Sequence, residues 1–112
     1  IAFLQTEKWI SSETIFKHSL AVTSNNIQIH LNLGMVLLAH NRPDEATQHY
    51  QEVVRLNPTF AEGHYNLAVA LAKQHKIIEA VKHYEEALRL KPDFDKARFN
   101  LERLKESLSM AK

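Results

Sequence analysis

Apolar residues recur three and four positions apart along most of the chain, which is the spacing that places side chains on one face of an α-helix. Short polar stretches interrupt this pattern at regular intervals, so it predicts several helices joined by tight turns. Only two glycines occur in 112 residues, which also disfavours β-hairpin turns. The predicted helices cover about 28–40, 44–56, 61–74, 78–90 and 95–110.

Asparagine and proline mark the predicted helix ends. Asn41 follows the first helix as a left-handed C-cap, a conformation that asparagine tolerates better than most residues. Pro43 stands at the start of the next helix, where its missing N–H removes no hydrogen bond. Pro58 and Pro92 lie just after the second and fourth helices and are expected to stop them.

The chain contains an internal repeat of 34 residues. Residues 27–60 and 61–94 align without gaps and are identical at thirteen positions, far more than chance would give. Each copy contains two predicted helices, a first helix (helix A) and a second (helix B). Such a repeat buries its apolar face only against its neighbours, so the copies are expected to stack into one domain. The register predicts a partial, helix B-like repeat in 1–26 and a C-terminal capping helix in 95–112.

Small residues, aromatics and prolines fall at fixed positions of this repeat. The pattern resembles the tetratricopeptide repeat, whose 34-residue consensus has small residues at positions 8 and 20, an aromatic at 24 and proline at 32. The resemblance implies an all-α, right-handed superhelix of stacked antiparallel helix pairs, an α-solenoid. The chain departs from the consensus at position 4, where His30 and His64 replace the usual aromatic. The matching residues are Gly34 and Ala68, Ala46 and Ala80, Tyr50 and Tyr84, and Pro58 and Pro92.

In this family the A helices line a concave groove that holds a peptide, so the resemblance implies a non-enzymatic protein- or peptide-binding scaffold. The groove positions are a mixture of apolar and polar residues, with basic residues towards the C-terminal end, which favours a partner with apolar anchors and some acidic character. The chaperone-type carboxylate clamp is expected to be absent, because Met35 stands where it needs asparagine and Asn100 where it needs arginine. The implied groove residues are Leu31, Asn32, Met35, Leu38, Tyr65, Asn66, Val69, Lys73, Lys96, Phe99, Asn100 and Arg103.

Asparagine recurs at one groove position with a strict 34-residue period, as Asn32, Asn66 and Asn100. An asparagine amide both donates and accepts, so it can pair with a peptide backbone whatever the peptide's side chains are. The series resembles the asparagine ladder of the O-linked N-acetylglucosamine transferase repeats. The alternative is that asparagine is simply a tolerated polar residue at this position.

Residues 8–34 carry a second resemblance. Trp9, the Ser12–Glu13 pair, Phe16 and Leu20 look like the junction, in bacterial membrane proteins of the O-mannosyltransferase-like type, between the last membrane helix and a C-terminal repeat tail. This resemblance implies a regulatory or substrate-docking tail of a membrane glycosyltransferase. The alternative is that Trp9 and Phe16 are core residues of a degenerate helix B. Incomplete cover of these residues would invite homo-oligomerisation through the N-terminal edge.

Ile1 rather than methionine begins the sequence, so we expect either a processed chain or, as the favoured alternative, a fragment of a longer protein. The apolar run Ile1–Leu4 is far shorter than the roughly 20 residues needed to cross a bilayer, so no direct membrane insertion by this fragment is expected. The compartment stays open between the cytoplasm and, for a membrane-protein tail, the extracytoplasmic or periplasmic side.

Composition adds few chemical possibilities. The absence of cysteine excludes disulfides and thiolate metal sites, and the net charge of +1 gives no field that would attract nucleic acid. Seven histidines occur, but none forms an HExxH motif, so neither a metal nor any other cofactor is expected. No nucleophile motif is present, so the fragment is not expected to be an enzyme. Glu85 and Arg89 are spaced as an i, i+4 ion pair on a solvated helix face.

Overall fold

The computed structural model describes the backbone of residues 23–111 and the side chains of residues 26–110. Most of the predicted partial repeat in 1–26, with Trp9 and Phe16, lies outside this range, and self-association through that edge stays a prediction. The described part is all-α and contains five helices. They are α1 (Thr23–Ala39), α2 (Pro43–Leu56), α3 (Ala61–Lys73), α4 (Ile77–Leu90) and α5 (Asp95–Ala111).

Four of the five helices begin and end within one residue of the predicted bounds. The exception is α1, which begins at Thr23 rather than near residue 28. Residues 23–26 are all polar, so hydrophobic periodicity gives no sign of a helix there. Each helix packs against the next one along the chain, and the short connections make successive helices antiparallel.

The turns from helix A to helix B share one hydrogen-bonding scheme. In the first, Asn41 adopts the left-handed conformation with a φ of 60°, as predicted. Its N–H donates to the Leu38 carbonyl at 3.0 Å, and the Arg42 N–H donates to the Leu37 carbonyl at 2.8 Å. These two bonds form a Schellman motif, which satisfies carbonyls at the end of α1. The second turn repeats the scheme, with His75 left-handed at a φ of 64°.

The turns from helix B to the next helix A are built around proline. The Phe60 N–H donates to the Asn57 carbonyl at 3.1 Å, which places Pro58 second in a four-residue turn. This is the position that the fixed φ of proline favours. The Phe94 N–H donates to the Lys91 carbonyl in the same way, around Pro92. The predicted role of both prolines as helix stops is therefore confirmed, and each also shapes the turn that follows.

The core lies along the seams between helices, where large rings meet small residues. Tyr50 and Tyr84 are 1% and 2% exposed, and Ala46 and Ala80 are fully buried. A Cβ atom built on Gly34 would lie 2.4 Å from the Tyr50 ring. That distance is too short for any side chain, so the buried ring needs glycine at this position.

Gly63 had no role that the sequence alone could assign, and the structure gives it one. It is buried in the first turn of α3, and a Cβ atom there would lie 3.0 Å from Val53 and 3.4 Å from Phe60. Glycine at this position therefore allows α3 to pack closely against α2.

The predicted Glu85–Arg89 ion pair is wrong. Arg89 instead bonds Glu86 one position nearer in sequence, while Glu85 lies 3.6 Å from Lys105 of α5. An i, i+3 and an i, i+4 partner are equally accessible on a helix surface, so spacing alone does not choose between them.

Candidate functional site

Residues of α3 and α5, which occupy the helix A places of successive repeats, line one open cavity of about 340 Å³ together with Tyr84 of α4. Four of the predicted groove residues line it, with Ala72 beside them. The cavity therefore lies where the repeat pattern predicts a ligand, at the seam between neighbouring A helices. The predicted residues that line it are Val69, Lys73, Asn100 and Arg103.

The Asn100 side chain, which lines this cavity, forms hydrogen bonds to two tyrosine hydroxyls. The Asn100 Nδ2 donates to the Tyr84 hydroxyl at 3.2 Å and to the Tyr65 hydroxyl at 3.4 Å. Burial raises the pKa of Tyr84 to about 12, so its ring remains neutral at physiological pH. The two bonds fix the orientation of the Asn100 amide, and they use the donor side of the group.

Two cations stand at the rim of the cavity. Lys73 and Arg103 are both exposed, and neither forms a salt bridge with a carboxylate of residues 26–110. The Arg103 guanidinium lies 5.7 Å from the centre of the Phe99 ring, close enough for a cation–π contact. Phe99 itself is 61% exposed, which is unusual for a large aromatic side chain.

The candidates on α1 form a separate group that does not line this cavity. Leu31 and Leu38 are half-buried and pack against the core, so their first role is structural. Met35 is 59% exposed and offers an apolar contact surface. Asn32 is exposed and accepts a 3.0 Å hydrogen bond from the Gln28 amide.

Asn66 and Lys96 complete the predicted set. Asn66 is half-buried on α3 and Lys96 is exposed on α5, and neither lines the cavity. The three asparagines thus occupy different surroundings, since Asn32 bonds within its own helix and Asn100 bonds to tyrosines. The asparagine ladder stays a prediction.

Besides Ala72, three residues that line the cavity were missing from the predicted set. Tyr84 was identified only as the consensus aromatic of its repeat, yet it lines the cavity and its hydroxyl accepts a hydrogen bond from Asn100. Leu104 and Ser107 lie four and seven positions after Asn100, which is the spacing of one helix face. Extending the helical periodicity of α5 beyond Arg103 would have found both.

Two kinds of feature are absent from the described residues. Between residues 23 and 111 no helix is both long enough and apolar enough to cross a membrane. In the same range, no three histidine or carboxylate side chains are grouped as a metal site would require.

Comparison with known proteins places the chain among repeat proteins. A family model described as tetratricopeptide repeat matches residues 61–94, and one described as TPR repeat matches residues 36–75. Together the two models span more than half of the 112 residues.

Two curated relatives share part of the sequence. Protein O-mannosyl-transferase TMTC1 of Homo sapiens is 32% identical over 57 residues, which are 51% of this chain and 6% of that protein. TMTC1 of Mus musculus is 34% identical over 57 residues, which are again 51% of this chain and 6% of that protein. The chain therefore spans only a small part of the relatives it matches.

Solved structures show the same architecture. MamA superposes with a TM-score of 0.73 at 24% identity, covering 84% of this chain and 55% of MamA. The TPR2AB domain of yeast Sti1 in complex with pHSP90 superposes with a TM-score of 0.74 at 20% identity, covering 96% of this chain and 43% of that structure. The first TPR of Spaghetti (RPAP3), bound to the HSP90 peptide SRMEEVD, superposes with a TM-score of 0.73 at 19% identity, covering 94% of this chain and 88% of that structure. At these identities the likeness is one of fold.

The family models, the repeat arithmetic and the helix pairs agree with one another. The chain belongs to the tetratricopeptide repeat family.

Proposed function

We propose that this chain is a non-enzymatic scaffold that binds a protein or peptide along the face formed by its A helices. The observation that carries the proposal is the α3–α5 cavity. It gathers an apolar wall at Val69, a fixed amide at Asn100 and two cations into one concave surface. Concave sites that combine apolar contacts with a few placed polar groups are the usual form of ligand-binding surfaces.

The chemistry of the cavity favours a partner with an apolar anchor next to an acidic group. Val69, Ala72 and Leu104 supply apolar contact, while Lys73 and Arg103 stand at the rim without a carboxylate partner among residues 26–110. A carboxylate of the ligand would therefore find cations that no described group already neutralises. The solved Spaghetti repeat holds a peptide, SRMEEVD, with the same combination of acidic and apolar residues.

The binding mode would differ from the chaperone-type clamp. Met35 and Asn100 still occupy two positions where the clamp needs asparagine and arginine. The cations that line the cavity are Lys73 and Arg103, one on each side of the seam. We infer that the acidic group of the ligand lies over the α3–α5 seam and that Met35 and Phe99 supply apolar contacts along the same face.

An array of acidic and apolar peptides tests this proposal. Replacing Phe99 with alanine is expected to weaken binding of the captured peptides about tenfold, because an exposed aromatic that becomes buried on binding contributes about 1–2 kcal/mol. The matched control is Ile78→Ala on α4, since Ile78 is 67% exposed but lies on a B helix. Equal affinity of the Phe99→Ala variant and the wild type would argue against this face.

A second candidate function rests on the TMTC1 relatives. The chain would be a regulatory or substrate-docking tail of a membrane glycosyltransferase, and the 32% identity to the human protein supports this over the matched 57 residues. Those relatives are mammalian, so a bacterial source stays a prediction. The coding sequence upstream of Ile1 separates the two candidates, because repeated membrane spans there would favour the tail.

A further inference from the structure

Histidines pair across the two helices of each repeat. The Nδ1 atoms of His30 and His49 lie 3.0 Å apart, and those of His64 and His83 lie 3.1 Å apart. The ring centroids are 5.2 Å and 5.3 Å apart in the two pairs. The same arrangement therefore occurs twice, 34 residues apart, and each pair joins a helix A to the helix B that follows it.

The hydrogen bonds around His64 determine where the protons lie. Its Nε2 is 2.9 Å from the Pro58 carbonyl oxygen, which can only accept, so this nitrogen carries a hydrogen. In the neutral ring the Nδ1 of His64 is then bare and accepts. The Nδ1 of His83 must donate to it, which leaves the Nε2 of His83 without a hydrogen.

This arrangement accepts one extra proton but not two. A proton on the Nε2 of His83 leaves the Nδ1–H donor in place, so the bond to His64 survives. A second proton can only go to the Nδ1 of His64. Two N–H groups would then face each other about 3.1 Å apart, with both rings charged. His64 is buried between the two helices, with 6% of its surface exposed.

Several charged groups among the described residues act on His83. Burial lowers its pKa most, and the His64 ring lowers it further. Glu79 and Glu86 raise the pKa and Lys82 lowers it, and these three lie on α4. Among the described residues of α2 and α5, no charged group contributes to the shift.

The first pair shows the same balance. Burial and the His49 ring lower the pKa of His30, while Glu52 raises it and Arg55 lowers it. Both charged residues lie on α2, the helix B of that repeat.

We propose that each histidine pair is an acid-sensitive latch that holds helix A to helix B of its repeat while at least one of the two imidazoles is neutral, and that opens when both are protonated. The latch lies outside the α3–α5 cavity, so it acts on the packing of the repeats and not on the peptide site directly.

The direction of the pH dependence follows from proton uptake. Histidines of an unfolded chain titrate near pH 6.5 and take up two protons per pair, whereas the folded pair resists at least the second. The contribution of the latch is therefore complete above pH 6.5 and is lost as the pH falls below it. Each proton taken up on unfolding raises the unfolding equilibrium constant roughly tenfold per pH unit.

Chemical denaturation at pH 7, 6 and 5, in buffers with EDTA, tests the latch. His83→Asn keeps an amide N–H donor towards His64 but does not titrate, and its amide can turn to accept instead. As the pH falls below 6.5, the unfolding equilibrium constant of this variant is expected to rise less steeply than that of the wild type. The expected difference is about tenfold per pH unit. His75→Asn is the matched control, because His75 is exposed and asparagine tolerates its left-handed backbone. Equal acid sensitivity of His83→Asn and the wild type would overturn the proposal, as would an equal effect of His75→Asn.

A measurement on the wild type keeps the proposal testable if His83→Asn fails to fold. Imidazole ¹⁵N spectra at pH 7.5 are expected to show His64 with its hydrogen on Nε2 and His83 with its hydrogen on Nδ1. A hydrogen on the Nε2 of neutral His83 would contradict the arrangement on which the latch depends.

Discussion

Replacing Tyr84 with alanine is expected to lower the free energy of unfolding by about 3–5 kcal/mol, the range for losing a large buried ring. Tyr84 is 2% exposed and belongs to the continuous core. The centre of its ring lies 5.8 Å from the centre of the Tyr65 ring, and its hydroxyl accepts a hydrogen bond from the Asn100 amide. Because a small domain has only about 5–15 kcal/mol in total, this loss would be a large share of the stability.

Urea denaturation of three variants checks this prediction. Tyr84→Phe removes the hydroxyl alone and should cost about 1 kcal/mol, since it removes an acceptor from Asn100. Ile78→Ala is the control on the same helix and should change the stability by less than about 1 kcal/mol, because Ile78 is largely exposed. If Tyr84→Ala cost no more than Ile78→Ala, the core described here would be wrong.

Reversing both rim charges, with Lys73→Glu and Arg103→Glu together, is expected to weaken the binding of an acidic peptide about a hundredfold. Each reversal turns an attraction into a repulsion, and about tenfold per residue corresponds to about 1.4 kcal/mol. The effect should shrink in high salt, because both side chains are exposed and are screened by ions.

A matched double reversal controls for net charge. Lys76 lies just before α4 and Lys82 lies on that helix. Both side chains are exposed, and neither lines the cavity. Reversing these two changes the total charge equally, so fluorescence anisotropy with the same peptide separates a local effect from a general one. A hundredfold loss in the control, or no loss in the Lys73 and Arg103 variant, would show that the rim does not bind the acidic group.

The helices and turns were largely predictable because their signals are local. Hydrophobic spacing, Pro43, Pro58 and the left-handed Asn41 each depend on a few neighbouring residues. His75 was missed because glycine and asparagine are the usual signals of a left-handed helix cap, and neither stands at this position. His75 nevertheless aligns with Asn41 in the 34-residue repeat, so the repeat pattern would have predicted a left-handed residue there.

Contacts between helices were much less predictable. The repeat pattern relates His30 to His64 at a spacing of 34, between repeats, whereas the partners in the structure lie 19 residues apart within one repeat. That pairing depends on how the two helices are rotated, which spacing along one helix does not contain. The role of Gly63 depends in the same way on Val53 and Phe60 of the preceding helix and turn.

The candidate site was predicted in part. The family pattern indicated which residues of α3 and α5 lie on the A-helix face, and four of them share the cavity. It did not indicate that the Asn100 amide bonds to the hydroxyls of Tyr65 and Tyr84. Such bonds depend on side-chain conformations across two helix seams, which the consensus does not determine.

The central claim is that the face over the α3–α5 seam binds the peptide. Its most direct test is to follow backbone amide shifts of the ¹⁵N-labelled chain while the tightest peptide from the array is added. The account predicts the largest shifts at Val69, Lys73, Asn100 and Arg103. Largest shifts on the B helices, such as around Ile78 of α4, would contradict it.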